Sequence, residues 1–173
     1  AWDRQTARIM GEEFDKLGVF MFEEPVSTDD HYTSSLLCRS LKVKIAGYES
    51  EQLAFNFERL IRDDCVDIVQ PDLSWAGGIT ECRKIANMAY AAHKEFAPHC
   101  FSSAILLAAS AHFLCAIPNA AMLEMDQNPN GLRTDIVNNP LVIDEHGQVV
   151  MNDLPGLGVE LNEDMIRKYL VNE

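Results

Sequence analysis

The sequence predicts an α/β protein built on a parallel sheet, and three observations predict it. Short apolar runs alternate with longer stretches of helical periodicity. Glu23, Glu49, Asp72 and His99 each follow such a run, at intervals of 26, 23 and 27 residues, about the length of one βα unit. Right-handed crossovers between such units make the strands parallel and bring their C-terminal ends to one face, where α/β proteins place their chemistry.

Each element has its own signal. Residues 6–17 carry Met10, Phe14 and Leu17 at helical spacing and meet a stop at Gly18. A strand at 19–22 precedes Glu23. Ser27-Thr28-Asp29-Asp30 opens a helix whose body is 34–41, and a strand at 43–48 precedes Glu49. Residues 50–65 place Leu53, Phe57, Leu60 and Ile61 on one helical face. The strand at 66–71 ends at Pro71-Asp72, and Gly77-Gly78 leads into a helix at 79–94 with Cys82, Ile85, Ala86 and Ala89 on one stripe. A short strand ends at Pro98-His99. Ser102 or Ser103 then caps a helix so apolar on every face that it should be buried. A fifth strand is expected at 120–125. The tail reads as a β-hairpin over 141–150, a turn at Pro155-Gly156-Leu157-Gly158 and a closing helix at 162–170.

Composition excludes several functions. The chain has 173 residues, 47% of them hydrophobic and 24% charged, enough for one sizeable core. Its 14 basic and 27 acidic residues give a net charge of −13, which argues against nucleic acid and anionic membrane as partners. An anionic substrate would need a local positive charge, such as a bound divalent cation. Five cysteines without CxxC spacing imply free thiols and a cytoplasmic protein. The N-terminal residues do not read as a signal peptide, and the apolar helix near 104–117 is too short to span a bilayer.

Two architectures fit this order: an open doubly wound sheet, or part of a (β/α)8 barrel. No GxGxxG follows any strand, which weakens the first. The second needs more than the roughly five strands present. The expectation is therefore a C-terminal portion of a longer chain, or a half-barrel completed by another chain. Exposed edges at 19–22 and 121–125 call for pairing or cover, so a homo-oligomer is expected.

Each of the four spaced residues also has a plain structural reading. Glu23 can be a solvated strand end, Glu49 a helix cap, Asp72 a turn residue and His99 a satisfied core histidine. Their common position after strand-like runs favours a shared role. His31, His93, His112 and His146 lack that placement, and Cys100 reads as pocket lining. Glu24 reads as structural, in a salt bridge beneath the site.

Five motifs now occur in order: Phe22-Glu23-Glu24-Pro25; Ile45-Ala46-Gly47-Tyr48-Glu49; Gln70-Pro71-Asp72 with Gly77-Gly78-Ile79-Thr80; Pro98-His99; and Leu123-Glu124-Met125-Asp126. Together they resemble the enolase superfamily, in its mandelate racemase-like branch, which includes many acid-sugar dehydratases. The resemblance implies about five strands of an enolase-type (β/α)7β barrel over residues 1–126. Residues 127–173 would form a C-terminal segment whose hairpin and helix belong to the capping region. It also implies that Glu23 and Glu49 are two of three carboxylates holding Mg²⁺, the third lying upstream of residue 1. Asp72 and His99 match the acid/base dyad, and Glu124 the group that hydrogen-bonds the substrate carboxylate. Lys42 and Lys44 would lie at the bottom of the barrel. Trp75 stands where sister branches place a catalytic lysine, which favours the histidine-based branch.

The implied reaction explains these residue types. A proton α to a carboxylate is a very weak acid, and its removal leaves a dianionic enediolate. A hard cation held by oxygens stabilises that charge as it grows. A histidine oriented by an aspartate can take the proton or protonate a departing hydroxide. The expectation is dehydration of a small-molecule acid sugar to a 2-keto-3-deoxy acid. Racemisation, epimerisation or lactone cycloisomerisation remain open, as does an inactive half-barrel. Residues 1–173 alone are expected to be inactive.

Overall fold

A computed structural model describes residues 1–171. Four parallel strands, β1 (Met21–Glu23), β2 (Lys44–Gly47), β3 (Ile68–Val69) and β4 (Glu95–Phe96), lie in sequence order. Helices α1 (Arg4–Leu17), α2 (His31–Ser40), α3 (Leu53–Arg62) and α4 (Gly78–Ala91) alternate with them. Helices α5 (Ala104–Cys115), α6 (Gly131–Thr134) and α7 (Glu163–Tyr169) follow. The chain divides into two compact units. The first is Ala1–His99 with Ile117–Met122, and the second is Cys100–Ala116 with the chain from Leu123 onward.

The first unit holds the sheet. Asp3 caps α1 by accepting hydrogen bonds from the N–H groups of Gln5 and Thr6, and Gly18 ends it at φ 67°, a conformation costly for a residue with a Cβ. On the helix side of the sheet, Ala7, Phe22, Val26, Leu37, Val43 and Ile45 form one core, with Met10 and Phe14 packed against it. The Phe14 and Phe22 rings meet edge to face at 4.9 Å. On the other face Ala46, Ile68 and Ala97 pack with Met21 and Ala121. The register Glu23↔Ala46, Ala46↔Ile68 and Ile68↔Glu95 sets these side chains in rows.

The two ends of the sheet differ. At the N-terminal end Lys44 meets Glu95 at 2.7 Å, with its ammonium 4.8 Å from the Phe20 ring. Lys44 therefore starts β2 at the end opposite Glu49, as the sequence implies. The buried Lys94 ammonium donates to Asp64 and to the Val66 carbonyl, each at 2.6 Å, and this bond holds the Asp64 carboxyl below its ordinary pKa. At the C-terminal ends the chain turns into the loops that carry the candidate site.

Two expectations about element bounds in the first unit require correction. The fifth strand is a single parallel bridge, Phe96↔Ala120, made by the Phe96 N–H to the Asn119 carbonyl and the Ala121 N–H to the Phe96 carbonyl. Pro98 occupies the next ladder position and has no N–H to give, so the pairing stops there. Helix α3 begins at Leu53, not at residue 50. Gln52 makes no side-chain cap, and the β3–α4 loop and the first turn of α4 substitute for it: the Ala76 carbonyl takes the Leu53 N–H and the Glu81 carboxylate takes the Ala54 N–H.

In the second unit α5 buries Ala104, Leu106, Leu107, Ala108, Ser110, Ala111 and Phe113, and Ser103 is its cap. Ala104, Ile136 and Val137 pack with Val159 and Ile166. The expected hairpin is reduced to a turn and one antiparallel bridge, Ile143↔Val149, with the Asp144 side chain accepting from the His146 and Gln148 N–H groups. The short α6 carries no strong sequence signal and is tied to α7 by the Tyr169 hydroxyl on Asp135 at 2.6 Å. No helix among the described residues is long and apolar enough to cross a membrane.

Phe57 is fully buried on α3. Phe57→Ala should destabilise the protein by about 3–5 kcal/mol. Urea unfolding should show this as a lower midpoint with an unchanged slope.

Candidate active site

Asp72 is the most enclosed ionisable group at the C-terminal ends of the strands, with 1% of its surface exposed. It lies three residues beyond β3, where Pro71 ends the ladder. One carboxylate oxygen, Oδ2, is 2.9 Å from His99 Nδ1. The other, Oδ1, accepts the Ser74 N–H at 2.7 Å, the Ser74 hydroxyl and the Trp75 N–H at 3.3 Å. The first residues of the β3–α4 loop thus wrap around this carboxylate as an Asx turn. Burial pushes the Asp72 carboxyl up, but the bonds from His99 and Ser74 outweigh it, and its pKa lies below the ordinary 3.8.

His99 is 6% exposed, three residues beyond β4. With Nδ1 on Asp72, its Nε2 faces Glu49 Oε2 at 3.3 Å. An imidazolium in this position has an acceptor at each nitrogen. The Trp75 ring covers one side, its centroid 5.2 Å from that of His99 and tilted by 34°. The Trp75 side chain is half exposed, so the imidazole lies between a buried carboxylate and the loop surface.

Glu49 is positioned by an unusual path out of β2. Gly47 has φ 151° and Tyr48 φ 72°, both in the left-handed half of conformational space. A Cβ on Gly47 would lie 2.7 Å from the Glu24 side chain. Glu24 Oε1 accepts the Tyr48 N–H at 2.9 Å, and the Glu24 N–H donates to the Ala46 carbonyl. Glu24 therefore works through a hydrogen bond to the backbone, where the sequence suggested a salt bridge. It steers the turn that delivers Glu49.

Glu23 ends β1 opposite Ala46 of β2, on the same sheet row as Ile68. It and Glu49 stand at the C-terminal ends of neighbouring parallel strands. Two carboxylates are suited to a hard divalent cation that keeps water and substrate oxygens as its other ligands. Among the described residues, no group of three or more His, Cys, Asp or Glu side chains is arranged to hold a metal ion. Glu124 belongs to the second unit, where its Oε2 accepts the Cys100 N–H at 2.6 Å. Cys100 is buried, in line with a packing role. At this site the contacts that the sequence did not single out are those of Ser74 with Asp72. An Asp followed two residues later by Ser is a turn signal that would have pointed to them.

Residues 1–165 match the family described as Enolase C-terminal domain-like. The arabinonate dehydratase of Saccharolobus solfataricus is 38% identical, over 95% of this chain and 44% of that one. The chain thus spans less than half the length of that relative. The 3,6-anhydro-D-galactonate cycloisomerase of Zobellia galactanivorans superposes with a TM-score of 0.92 at 32% identity, over 99% of this chain and 48% of that one. The L-talarate dehydratase of Polaromonas sp. JS666, complexed with Mg and L-glucarate, superposes with a TM-score of 0.85 at 28% identity, over 96% and 44%.

Two outcomes follow from the geometry. The depressed pKa of Asp72 means that its bonding stabilises the fold fully above pH 3.8 and less as the pH falls below that value. The stability lost in Asp72→Asn should be greatest near neutrality and shrink as pH falls from 4 to 2, read by thermal unfolding across that range. Gly47→Ala should cost about 1–3 kcal/mol of stability through backbone strain, measured by chemical denaturation.

Proposed function

The chain belongs to the enolase C-terminal domain-like family, and on that premise we propose that it carries the acid–base machinery for dehydrating an acid sugar to a 2-keto-3-deoxy acid. One observation carries the reading: a buried Asp72–His99 pair with Glu49 at the far nitrogen of the ring. The kinship with an arabinonate dehydratase supports the choice of reaction.

Glu23 and Glu49 would hold Mg²⁺. When bound, the cation would place positive charge beside the substrate carboxylate as the α-carbon loses its proton. The remaining work falls to side chains of this chain. Asp72 accepts a hydrogen bond from Nδ1 of His99, which leaves Nε2 as the nitrogen that exchanges a proton with substrate. Nε2 of His99 first takes the C2 proton. His99 then protonates the C3 hydroxyl, which departs as water, and the resulting enol takes up a proton at C3 to give the 2-keto-3-deoxy acid. Trp75 would keep water from one face of the imidazole. Glu124 would hydrogen-bond the substrate carboxylate.

We also place the protein in the cytoplasm, supported by five cysteines that remain free thiols. Among the described residues β1 is paired on one side only, which supports a homo-oligomer or further strands that cover its edge.

The full-length protein, supplied with Mg²⁺ and a panel of aldonic and aldaric acids, should form a keto acid from at least one of them. His99→Asn should lower kcat on that substrate by about 100- to 10,000-fold. Glu49→Gln should weaken Mg²⁺ binding measured by calorimetry. Failure of every acid sugar to yield a keto acid would overturn dehydration. An isomerised product without loss of water would assign the same residues to epimerisation or to cycloisomerisation, the latter being the chemistry named for the Zobellia relative.

A further inference from the structure

The backbone and the side chain of Glu24 serve two different loops. Its N–H continues the β1–β2 ladder by donating to the Ala46 carbonyl at 2.9 Å, directly after Glu23. Its Oε1 accepts the Tyr48 N–H at 2.9 Å, directly before Glu49. One residue is thus bonded at both places where the two candidate cation ligands leave the sheet.

The backbone is bent to allow this. Glu24 has φ 39°, Gly47 φ 151° and Tyr48 φ 72°. The left-handed region favours glycine, and other residues hold it only where their surroundings fix them. A turn that needed no side chain would take glycine at position 24 at lower cost. Gly47 lacks the Cβ that would meet Glu24 Cγ at 2.7 Å, which leaves the path from Glu24 to Tyr48 open. The far end of the Glu49 segment is fixed separately. Leu53, at φ 62°, donates its N–H to the Ala76 carbonyl, and the Glu51 N–H donates to the Tyr48 carbonyl. Glu24 holds the near end.

Ligand placement decides which cation a pair of carboxylates suits. Mg²⁺ takes oxygens at about 2.1 Å in near-ideal octahedral geometry, whereas Ca²⁺ takes them at about 2.4 Å in looser arrangements. A pair held at fixed spacing can discriminate between the two ions, and a loosened pair accommodates the larger, less demanding one. We propose that Glu24 is a positioning residue that fixes Glu49 relative to Glu23 and thereby sets the preference of that pair for Mg²⁺ over Ca²⁺. The proposal rests on the reading of Glu23 and Glu49 as cation ligands and goes beyond it. Glu24 acts through the Tyr48 N–H and does not bind the ion itself.

The test uses the full-length protein without substrate, titrated with Mg²⁺ and with Ca²⁺ by calorimetry. The readout is the ratio of the two dissociation constants. Both ions carry the same charge, so loss of a nearby carboxylate weakens both alike and cancels in the ratio. Glu24→Asp keeps the charge and tolerates a left-handed backbone. It is one methylene shorter, which takes its oxygen out of reach of the Tyr48 N–H. Its ratio should move toward Ca²⁺ by about tenfold. Glu24→Gln loses the charge but keeps an oxygen acceptor at the same reach, and its ratio should stay within about twofold of the wild type. An unchanged ratio in Glu24→Asp, or a ratio in Glu24→Gln that moves as far, would overturn the inference while the cation reading stands. A wild type that binds neither ion would remove both.

Discussion

The carboxylate of Asp72 is the point on which the rest of the site depends. One of its oxygens holds Nδ1 of His99, and the other gathers the Ser74 and Trp75 backbone and the Ser74 hydroxyl. A single buried charge therefore orients the imidazole and organises the loop whose tryptophan covers it. Burial alone would drive such a group toward its neutral form. The donors around it reverse that tendency, so the arrangement is self-consistent only while His99 and the loop are both in place.

The sheet makes this convergence possible. Parallel strands in sequence order carry Glu23, Glu49, Asp72 and His99 to the same end, although the chain separates the first from the last by 76 residues (99 − 23). The opposite end is closed by a half-buried ion pair between Lys44 and Glu95. Rigid core rows of Ala46, Ile68 and Ala97 lie between the two ends. Chemistry and stability thus occupy different heights on the same strands, and the loops are free to take conformations that a core could not tolerate. The left-handed Gly47 and Tyr48, held by Glu24, are the clearest instance.

A second dependence links neighbouring loops. Helix α3 has no cap of its own and borrows one from the next unit, through Glu81 and the Ala76 carbonyl. The loop after β2, which carries Glu49, is thereby fastened to the loop after β3, which carries Asp72. These two sequence-adjacent βα units are not independent modules: the first leaves backbone groups that the next one satisfies.

The sequence by itself determined the order of helices and strands, their parallel arrangement and the residues that meet at the strand ends, because apolar periodicity and βα spacing are local properties of the chain. Boundaries were less legible. Pro98 cut the fifth strand to a bridge and the missing Gln52 cap delayed α3, and both effects depend on a partner far away in sequence. Only the tertiary structure decided that Glu49 reaches Nε2 of His99, that Trp75 lies over the ring, and that Glu24 bonds backbone instead of a cation. Those facts are set by side-chain direction and strand register, which no spacing along one strand can fix until its neighbours are in place.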